Sequence, residues 1–253
     1  MEDDAPPRVI VVMPAYNAAQ TLVRTYGDIP ADVVDHIILV DDLSKDDTVA
    51  IAKLLGIQVV VHRQNTGYGG NQKTCYDTAL AEDAQVVVMV HPDYQYDATR
   101  IPELIAPILA GEADMMLGSR FLGDPLAGGM PRWKYAANRF LTGTQNLVYG
   151  LRMSEYHTGF RAYSRKLLEA IDYHANSDDF VFDQELVGQV VRAGFRIGEI
   201  AVPTRYFAEA SSVNFRRSVV YGLATLRSLA SHRRKAGKRS APGASERSAA
   251  GSP

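Results

Sequence analysis

Five short apolar runs punctuate the first half of the chain: Val9-Ile10-Val11-Val12-Met13, His36-Ile37-Ile38-Leu39-Val40, and residues 58–62, 85–90 and 114–117. Between them, over residues 21–26, 48–55, 70–82 and 101–109, apolar side chains recur near helical spacing. This alternation leaves few folds open. Parallel strands need a crossover connection, and a right-handed helical crossover covers the sheet it leaves. The runs are apolar throughout rather than alternating, as strands covered on both faces must be. The expectation is an α/β fold: a Rossmann-like, mainly parallel sheet with helices on both faces, in a single domain. A chain of 253 residues is long enough for that core.

After Arg120 the rhythm changes. Residues 121–132 are Gly/Pro-rich and read as a mobile loop; whether it moves as a lid is left open, though Gly123, Gly128 and Gly129 would permit it. Helices are expected over 133–149, from 182 to 192 and over 214–232, and a strand over 196–202. The last helix is amphipathic, with Phe215, Val219, Leu223, Leu226 and Ala230 on one side. This divides the chain into a flexible N-terminus (1–8), a catalytic domain (9–212), an amphipathic helix (213–232) and a disordered basic tail (233–253). From Ser231 onward six basic residues face Glu246 alone. The tail is therefore net +5, which leaves −7 for the body of a chain whose total is −2.

Cys75 is the only cysteine, so an internal disulfide and a zinc-thiolate site are excluded. No run of about 18 apolar residues suggests a membrane span. The acidic N-terminus lacks the apolar core of a signal peptide. A cytoplasmic location is expected, with contact at the inner face of a membrane left open. The basic tail alone does not make a nucleic-acid interface.

In parallel α/β sheets ligands lie beyond the carboxyl ends of the strands. There the chain places Pro14-Ala15-Tyr16-Asn17, then Asp41-Asp42, then Arg63-Gln64-Asn65-Thr66-Gly67-Tyr68-Gly69-Gly70, then His91-Pro92-Asp93-Tyr94-Gln95, and last Gly118-Ser119-Arg120. Asp46-Asp47-Thr48 reads as a helix cap. Paired acids at a buried strand end, Asp41 and Asp42, need a partner such as a ribose hydroxyl, a base or a cation. The glycine loop is not a phosphate loop, because Gln72 stands where the glycine before Lys73-Thr74 is required. Its glycines instead permit close backbone approach and start a helix. Asp93 and Gln95 on an extended segment would share a face and offer oxygen ligands suited to Mg²⁺ or Mn²⁺. Pro92-Asp93 is also a good turn pair, and both readings can hold at once. His91 is more simply a structural residue than a ligand. Among the arginines, whose forks suit phosphate, Arg161 and Arg205 sit beside turn residues and join Arg120, Arg132, Arg216 and Arg217 as candidates.

Pro14-Ala15-Tyr16-Asn17, Val40-Asp41-Asp42 with Ser44, Asp46 and Thr48, Asn65 with Gly67, the Asp93/Gln95 pair, Gly118-Ser119-Arg120 and Thr158-Gly159-Phe160-Arg161 together resemble the family-2 inverting glycosyltransferases of GT-A fold. Within them the chain is most similar to the polyprenyl-phosphate sugar synthases, of dolichol-phosphate mannose synthase type. The resemblance runs from about residue 9 to about residue 212. It implies that Pro14, Tyr16, Asn17 and Asp42, with Asp41, hold a nucleotide-sugar donor. It implies that Asp93 and Gln95 bind the divalent cation on the donor diphosphate. It implies that Arg120, Arg132 and Arg205 grip phosphate, with Ser211 and Ser212 a small polar contact. Three positions depart from the family pattern: His91 replaces the first Asp of Asp-x-Asp, Ala18 replaces a Glu, and Leu43 replaces a Gly.

The expected reaction is metal-dependent single displacement from a UDP- or GDP-sugar to a polyprenyl phosphate. If the acceptor were instead a saccharide hydroxyl, a base would be needed, and Asp183 or Glu185 is available. Two apart on a helix, those acids point to different faces, so at most one faces the crevice. The rival readings are a nucleotidyltransferase, which wants a Gly-rich loop after the first strand, and a non-catalytic nucleotide-sugar binder.

Overall fold

The computed structural model describes residues 6–203 and 215–239. Seven strands form one sheet: β1 (Val9–Ala15), β2 (His36–Asp41), β3 (Gln58–Val61), β4 (Val86–Met89), β5 (Met115–Ser119), β6 (Arg161–Ser164) and β7 (Ile197–Ala201). Their order is β3-β2-β1-β4-β6-β5-β7. The pairs β1/β2, β2/β3, β1/β4 and β5/β7 are parallel, while β6 runs antiparallel to β4 and to β5. The eight helices among the described residues are α1 (Leu22–Gly27), α2 (Thr48–Leu54), α3 (Gly67–Ala81), α4 (Ile101–Leu109), α5 (Arg132–Tyr149), α6 (Arg165–Ala170), α7 (Phe182–Ala193) and α8 (Phe215–Arg239).

The strand pleat sends alternate side chains into two cores, so the mainly parallel sheet is buried on both faces as expected. Ile10, Val12, Ile38 and Val87 pack under α3 and α7 with Tyr76, Phe182, Leu186 and Val190. Val9, Val11, Met13 and Val88 pack on the other face with Leu22, Ala52, Leu104 and Ile105. The order turns at β1: β2 and β3 lie to one side, β4 to the other. The carboxyl ends of β1 and β4 therefore part into a crevice, the place where such sheets bind ligands.

Several elements differ from expectation. β6 and α6 were not anticipated, because a four-residue strand that opens on Arg161 carries little periodic signal. β1 and β5 each run two residues beyond the predicted ends. The basic tail was placed from residue 233, but α8 continues to Arg239. Lys, Arg and Ala are good helix formers, and cations suit a helix C-terminus. Nor is α8 a detached helix: Thr225 and Leu229 are buried against the domain. At the other end Arg8 is already fastened, its carbonyl accepting from Gln85 and Val86. Residues 1–5 and 240–253, and Arg205, Ser211 and Ser212, lie outside the described residues.

The expectation for the glycine loop holds. Gly67 has φ +83°, in the region that favours glycine, and begins α3. The Gly69 amide donates to Asp178 O at 2.7 Å. A Cβ on Gly69 would collide with Ser177 O and stand 2.8 Å from Phe182 Cβ. Gly69→Ala should therefore cost about 1–3 kcal/mol through overpacking. Urea denaturation measures it, and a loss under about 0.5 kcal/mol would mean the contact relaxes freely.

Candidate active site

A cavity of about 260 Å³ opens beyond the carboxyl ends of β4 and β5, and Pro14, Tyr16, Asn17, Asp41 and Asp42 are not among the residues that line it. Tyr68, His91, Asp93, Gln95 and Asp183 line one part, and Arg120, Trp133, Lys134, His157 and Tyr221 another.

The first group is braced by a buried cation. Arg161 is 1% exposed, and its guanidinium donates to Thr158 O at 2.7 Å and Tyr156 O at 3.2 Å. It pairs with Asp183 Oδ1 at 3.3 Å. Burial alone would weaken its hold on the proton, but the Asp183 carboxylate outweighs that and raises its pKa. Tyr68 donates to Asp183 Oδ2 at 2.8 Å and stacks on His91, with ring planes 6° apart. On the other side of His91 lies Gly159, where a Cβ would stand 3.0 Å from Nε2. Burial pushes the His91 pKa down, ahead of the opposing pull of Asp93. His91 thus packs between Tyr68 and Gly159 and also lines the cavity.

Asp93 and Gln95 were expected to share a face of an extended segment. The backbone instead turns, as the Pro92-Asp93 pair allowed: Tyr94 has φ +59°, and the Gln95 backbone amide donates to Asp93 Oδ1 at 3.1 Å. Both still reach the cavity. Among the described residues no cluster of three or more His, Cys, Asp or Glu is arranged to hold a metal ion.

The two acids after β2 have different fates. Asp42 Oδ1 accepts from the Thr66 amide at 2.7 Å and the Thr66 hydroxyl at 2.9 Å, with His62 Nδ1 at 2.9 Å. Its Oδ2 accepts from the Gly67 amide at 3.0 Å. Asp42, expected on the donor, is committed to holding the start of α3. Asp41 is 1% exposed; its Oδ2 accepts from Ser44, and its Oδ1 has no hydrogen-bond partner. Asp46, not Asp47, caps α2 by accepting from the Thr48 amide and hydroxyl. Pro14 is buried in β1, while Tyr16 and Asn17 are exposed above it. Asn17 staples the loops after β1 and β2, its amide donating to Ser44 Oγ and its Oδ1 accepting from Lys45.

Arg120 lies along the carboxylate of Glu155, with Nε 3.0 Å from both oxygens, and donates to His157 O at 3.0 Å. Glu155 is fully buried; burial would raise its pKa, but Arg120 and Asn138 hold it low. Lys134 shares this wall, and its pKa is lowered by burial and then by Arg120. It forms no ion pair among the described residues. Arg132 is exposed at the start of α5 and does not line the cavity. Arg161 lies beneath it, and Glu185 turns away to accept from the Ser177 amide at 2.7 Å. Of the two candidate bases only Asp183 faces the cavity. Sequence reasoning missed Glu155, Lys134, His157 and Tyr221. Glu155 and His157 stand just before the quoted Thr158 motif, which was the available signal. Tyr221 carried none, because α8 reaches the site only through tertiary packing.

The model of the family described as Glycosyl transferase family 2 matches residues 10–172. The Dolichyl-phosphate hexose transferase of Haloferax volcanii is 30% identical over 197 residues, covering 77% of this chain and 82% of that protein. Glycosyltransferase AglD of the same organism is 28% identical over 207 residues, and the chain spans only 32% of its length. The crystal structure of glucosyl-3-phosphoglycerate synthase from Mycobacterium tuberculosis, with Mn²⁺, uridine diphosphate and glucosyl-3-phosphoglycerate, matches at TM-score 0.65. The match covers 89% of this chain and 80% of that one, at 20% identity, and shows a shared fold.

The unequal acids make a direct test. Asp42→Asn should lose about 2 kcal/mol, because an amide facing its donors leaves several unsatisfied. Asp41→Asn should lose under about 1 kcal/mol, and equal losses in urea denaturation would refute the division. A second expectation concerns pH. Burial lowers the His157 pKa to about 3, against an ordinary value of 6.5. Below pH 6.5 the unfolded chain takes up a proton that the folded chain refuses until about pH 3. Stability from this group is complete above the upper limit and falls with pH through the window. His157→Gln should flatten that fall, and an unchanged urea midpoint slope between roughly pH 6.5 and pH 4 would show that His157 is not its source.

Proposed function

We propose, from the premise that the chain belongs to glycosyl transferase family 2, that it moves a sugar with inversion from a nucleotide-sugar to the phosphate of a polyprenyl-type lipid. Its seven-stranded sheet with one antiparallel insertion is the GT-A glycosyltransferase fold. The observation that carries the acceptor reading is the cation-rich wall. Arg120 and Lys134 lie together in a cavity whose edge, Trp133, begins an exposed apolar stripe. Trp133, Phe140 and Leu147 are seven apart on α5, so they share a face, and Val219, Val220 and Leu223 are exposed on α8. An anionic head with an apolar tail suits a charged pocket beside a greasy rim. The relative from Haloferax volcanii is named for dolichyl phosphate. Among the described residues no helix is long and apolar enough to cross a membrane, and this surface offers an apolar face for contact with lipid.

Asp41 supports the donor reading. A buried carboxylate oxygen without a partner wants a donor, and a nucleoside offers base N–H and ribose O–H groups. Tyr16 and Asn17 stand exposed beside it. Asp93 and Gln95 supply hard oxygen donors to the cavity that Arg120 and Lys134 line, which fits Mg²⁺ or Mn²⁺ with its remaining ligands from diphosphate and water. Such a cation, when bound, would stabilise charge on the departing diphosphate. The neighbouring fold was solved with Mn²⁺ and uridine diphosphate.

The chain's own residues then do three things. Arg120, held along Glu155, presents positive potential with little freedom to move. Lys134 adds a second cationic side chain to the same wall. Asp183, fixed by Arg161 and Tyr68, is placed to accept a bond from a sugar hydroxyl. A lipid phosphate is already an anion and needs no base to attack the anomeric carbon. A second reading has a specific observation behind it: Asp183 faces the cavity, so a saccharide hydroxyl could be activated there.

The test is nucleoside diphosphate release from a panel of nucleotide-sugars, with Mg²⁺ or Mn²⁺, with and without a short polyprenyl phosphate. Release should require cation and lipid together and fall at least about 100-fold in Asp93→Ala. Release that ignores the lipid but responds to added saccharides would favour the second reading. Donor binding with no release under any condition would make the protein a binder.

A further inference from the structure

His157 sits in the cavity wall beside Arg120, at the end of a hydrogen-bonded chain that crosses three helices. The Tyr156 carbonyl can only accept, so the Gln184 group 3.3 Å from it is the NH₂. Gln184 Oε1 accordingly accepts from Gln145 Nε2 at 2.6 Å. The same Gln184 Nε2 donates to the Tyr221 hydroxyl oxygen at 2.6 Å. Tyr221 has one proton to give, and the acceptor at bonding distance is His157 Nδ1, 2.7 Å away. If Nδ1 accepts, the proton of a neutral imidazole is on Nε2. The reverse arrangement would give the Tyr221 oxygen two incoming donors and leave its own proton only the Thr225 hydroxyl, in place of the 2.7 Å contact with His157. Nε2 is buried and has no hydrogen-bond partner. The chain therefore ends in an N–H donor with nothing to donate to, and because Nε2 is covered in the free protein a ligand oxygen reaches it only by displacing the groups around it.

We infer that His157 binds the acceptor phosphate, presenting a fixed Nε2–H to a phosphate oxygen in the cation-rich part of the cavity, and that Tyr221 is the positioning residue that sets this tautomer. The inference rests on the lipid-phosphate reading for the acceptor. Phosphate oxygens have lone pairs and, when ionised, no competing protons, so they suit a wall where the Lys134 ammonium and the His157 N–H stand beside the Arg120–Glu155 pair. The ring and Arg120 are tied together, because the guanidinium bonds the His157 carbonyl. Burial keeps the ring neutral, with a pKa of about 3. The Tyr221 pKa is raised, by burial first and then by Asp183, so its proton stays in place. His157 thus adds a directional donor without adding a further positive charge. The ring also links α8 to the site: the helix that carries Val219, Val220 and Leu223 on its exposed side carries Tyr221 on its inner one.

The experiment uses the full chain with its histidines labelled with nitrogen-15, and His157 assigned by the resonance lost in His157→Phe. The free protein should show His157 protonated at Nε2 alone, unchanged between roughly pH 8 and pH 5. Tyr221→Phe should leave the fold intact by its circular dichroism and give a mixture of tautomers. A ring protonated at Nδ1, or one that ignores Tyr221→Phe, overturns the tautomer assignment. Inorganic phosphate and a short polyprenyl phosphate should each shift the Nε2 resonance, the lipid at lower concentration if the tail binds too. A shift caused only by nucleoside diphosphate would overturn the acceptor assignment. In the transfer assay His157→Phe should raise the KM for lipid phosphate about tenfold, the scale of one hydrogen bond to a charged group, with the donor KM within about twofold. His157→Gln, which keeps an N–H, should recover part of the loss. A wild-type protein that shows the phosphate shift but transfers nothing to lipid would sink the functional reading and leave the phosphate site standing.

Discussion

A guanidinium that cannot lose its proton lies under the floor of the cavity, and much of the site is arranged around it. Arg161 is excluded from water, so its charge must be met by protein. Two carbonyls and Asp183 meet it. That requirement fixes the turn through Tyr156 and Thr158 and the first turn of α7. Asp183, so anchored, holds the Tyr68 hydroxyl, and Tyr68 in turn sets the plane of His91. One buried charge thus places residues from α3, α7 and the end of β4 against one another. Such a pair is weak evidence for net stability, because both groups were desolvated to form it. What it supplies is position.

Strain gathers in the same region. Of the four non-glycine residues with positive φ among those described, Asn17, Leu43 and Tyr94 lie in the loops after β1, β2 and β4. Leu43 occupies the place where the family has glycine, and its φ of +68° explains that preference. Loops held in sparsely populated conformations persist only where surrounding bonds over-determine them. Here the bonds come from Asn17, Ser44 and Asp41, which lace the first two loops together. Rigid loops on a rigid sheet keep the exposed Tyr16 and Asn17 in a fixed relation to Asp41.

The sheet could be read from the chain because its signal is local. Unbroken apolar runs, helical spacing between them and polar residues at each strand end are visible without knowing what touches what. The site resisted where roles depend on partners distant in sequence. Asp41 and Asp42 are indistinguishable as letters; they differ because the start of α3 brings its amides to one and not the other. Glu185 and Asp183 are two residues apart, and only the packing of residues 177–178 shows which is taken by a loop. Pro92-Asp93 signals the turn, but nothing in the letters gives Tyr94 its positive φ, since tyrosine rarely adopts that backbone. His157 reads as an ordinary histidine until α8 brings Tyr221 to it.

The antiparallel course of β6 has an effect on where variation can enter. In a wholly parallel sheet only the residues that follow a strand open onto the binding edge. Because β6 runs the other way, the residues that lead into it arrive at that edge instead, and so Glu155, His157, Thr158 and Gly159 stand there. This lead-in is anchored at one end by α5 and at the other by Arg161 in the sheet. Its side chains can change without altering the register of any strand. The fold thereby gains a segment that can drift separately from the loops holding Asp41 and Asp93, so the two sides of the binding edge can change on separate stretches of chain.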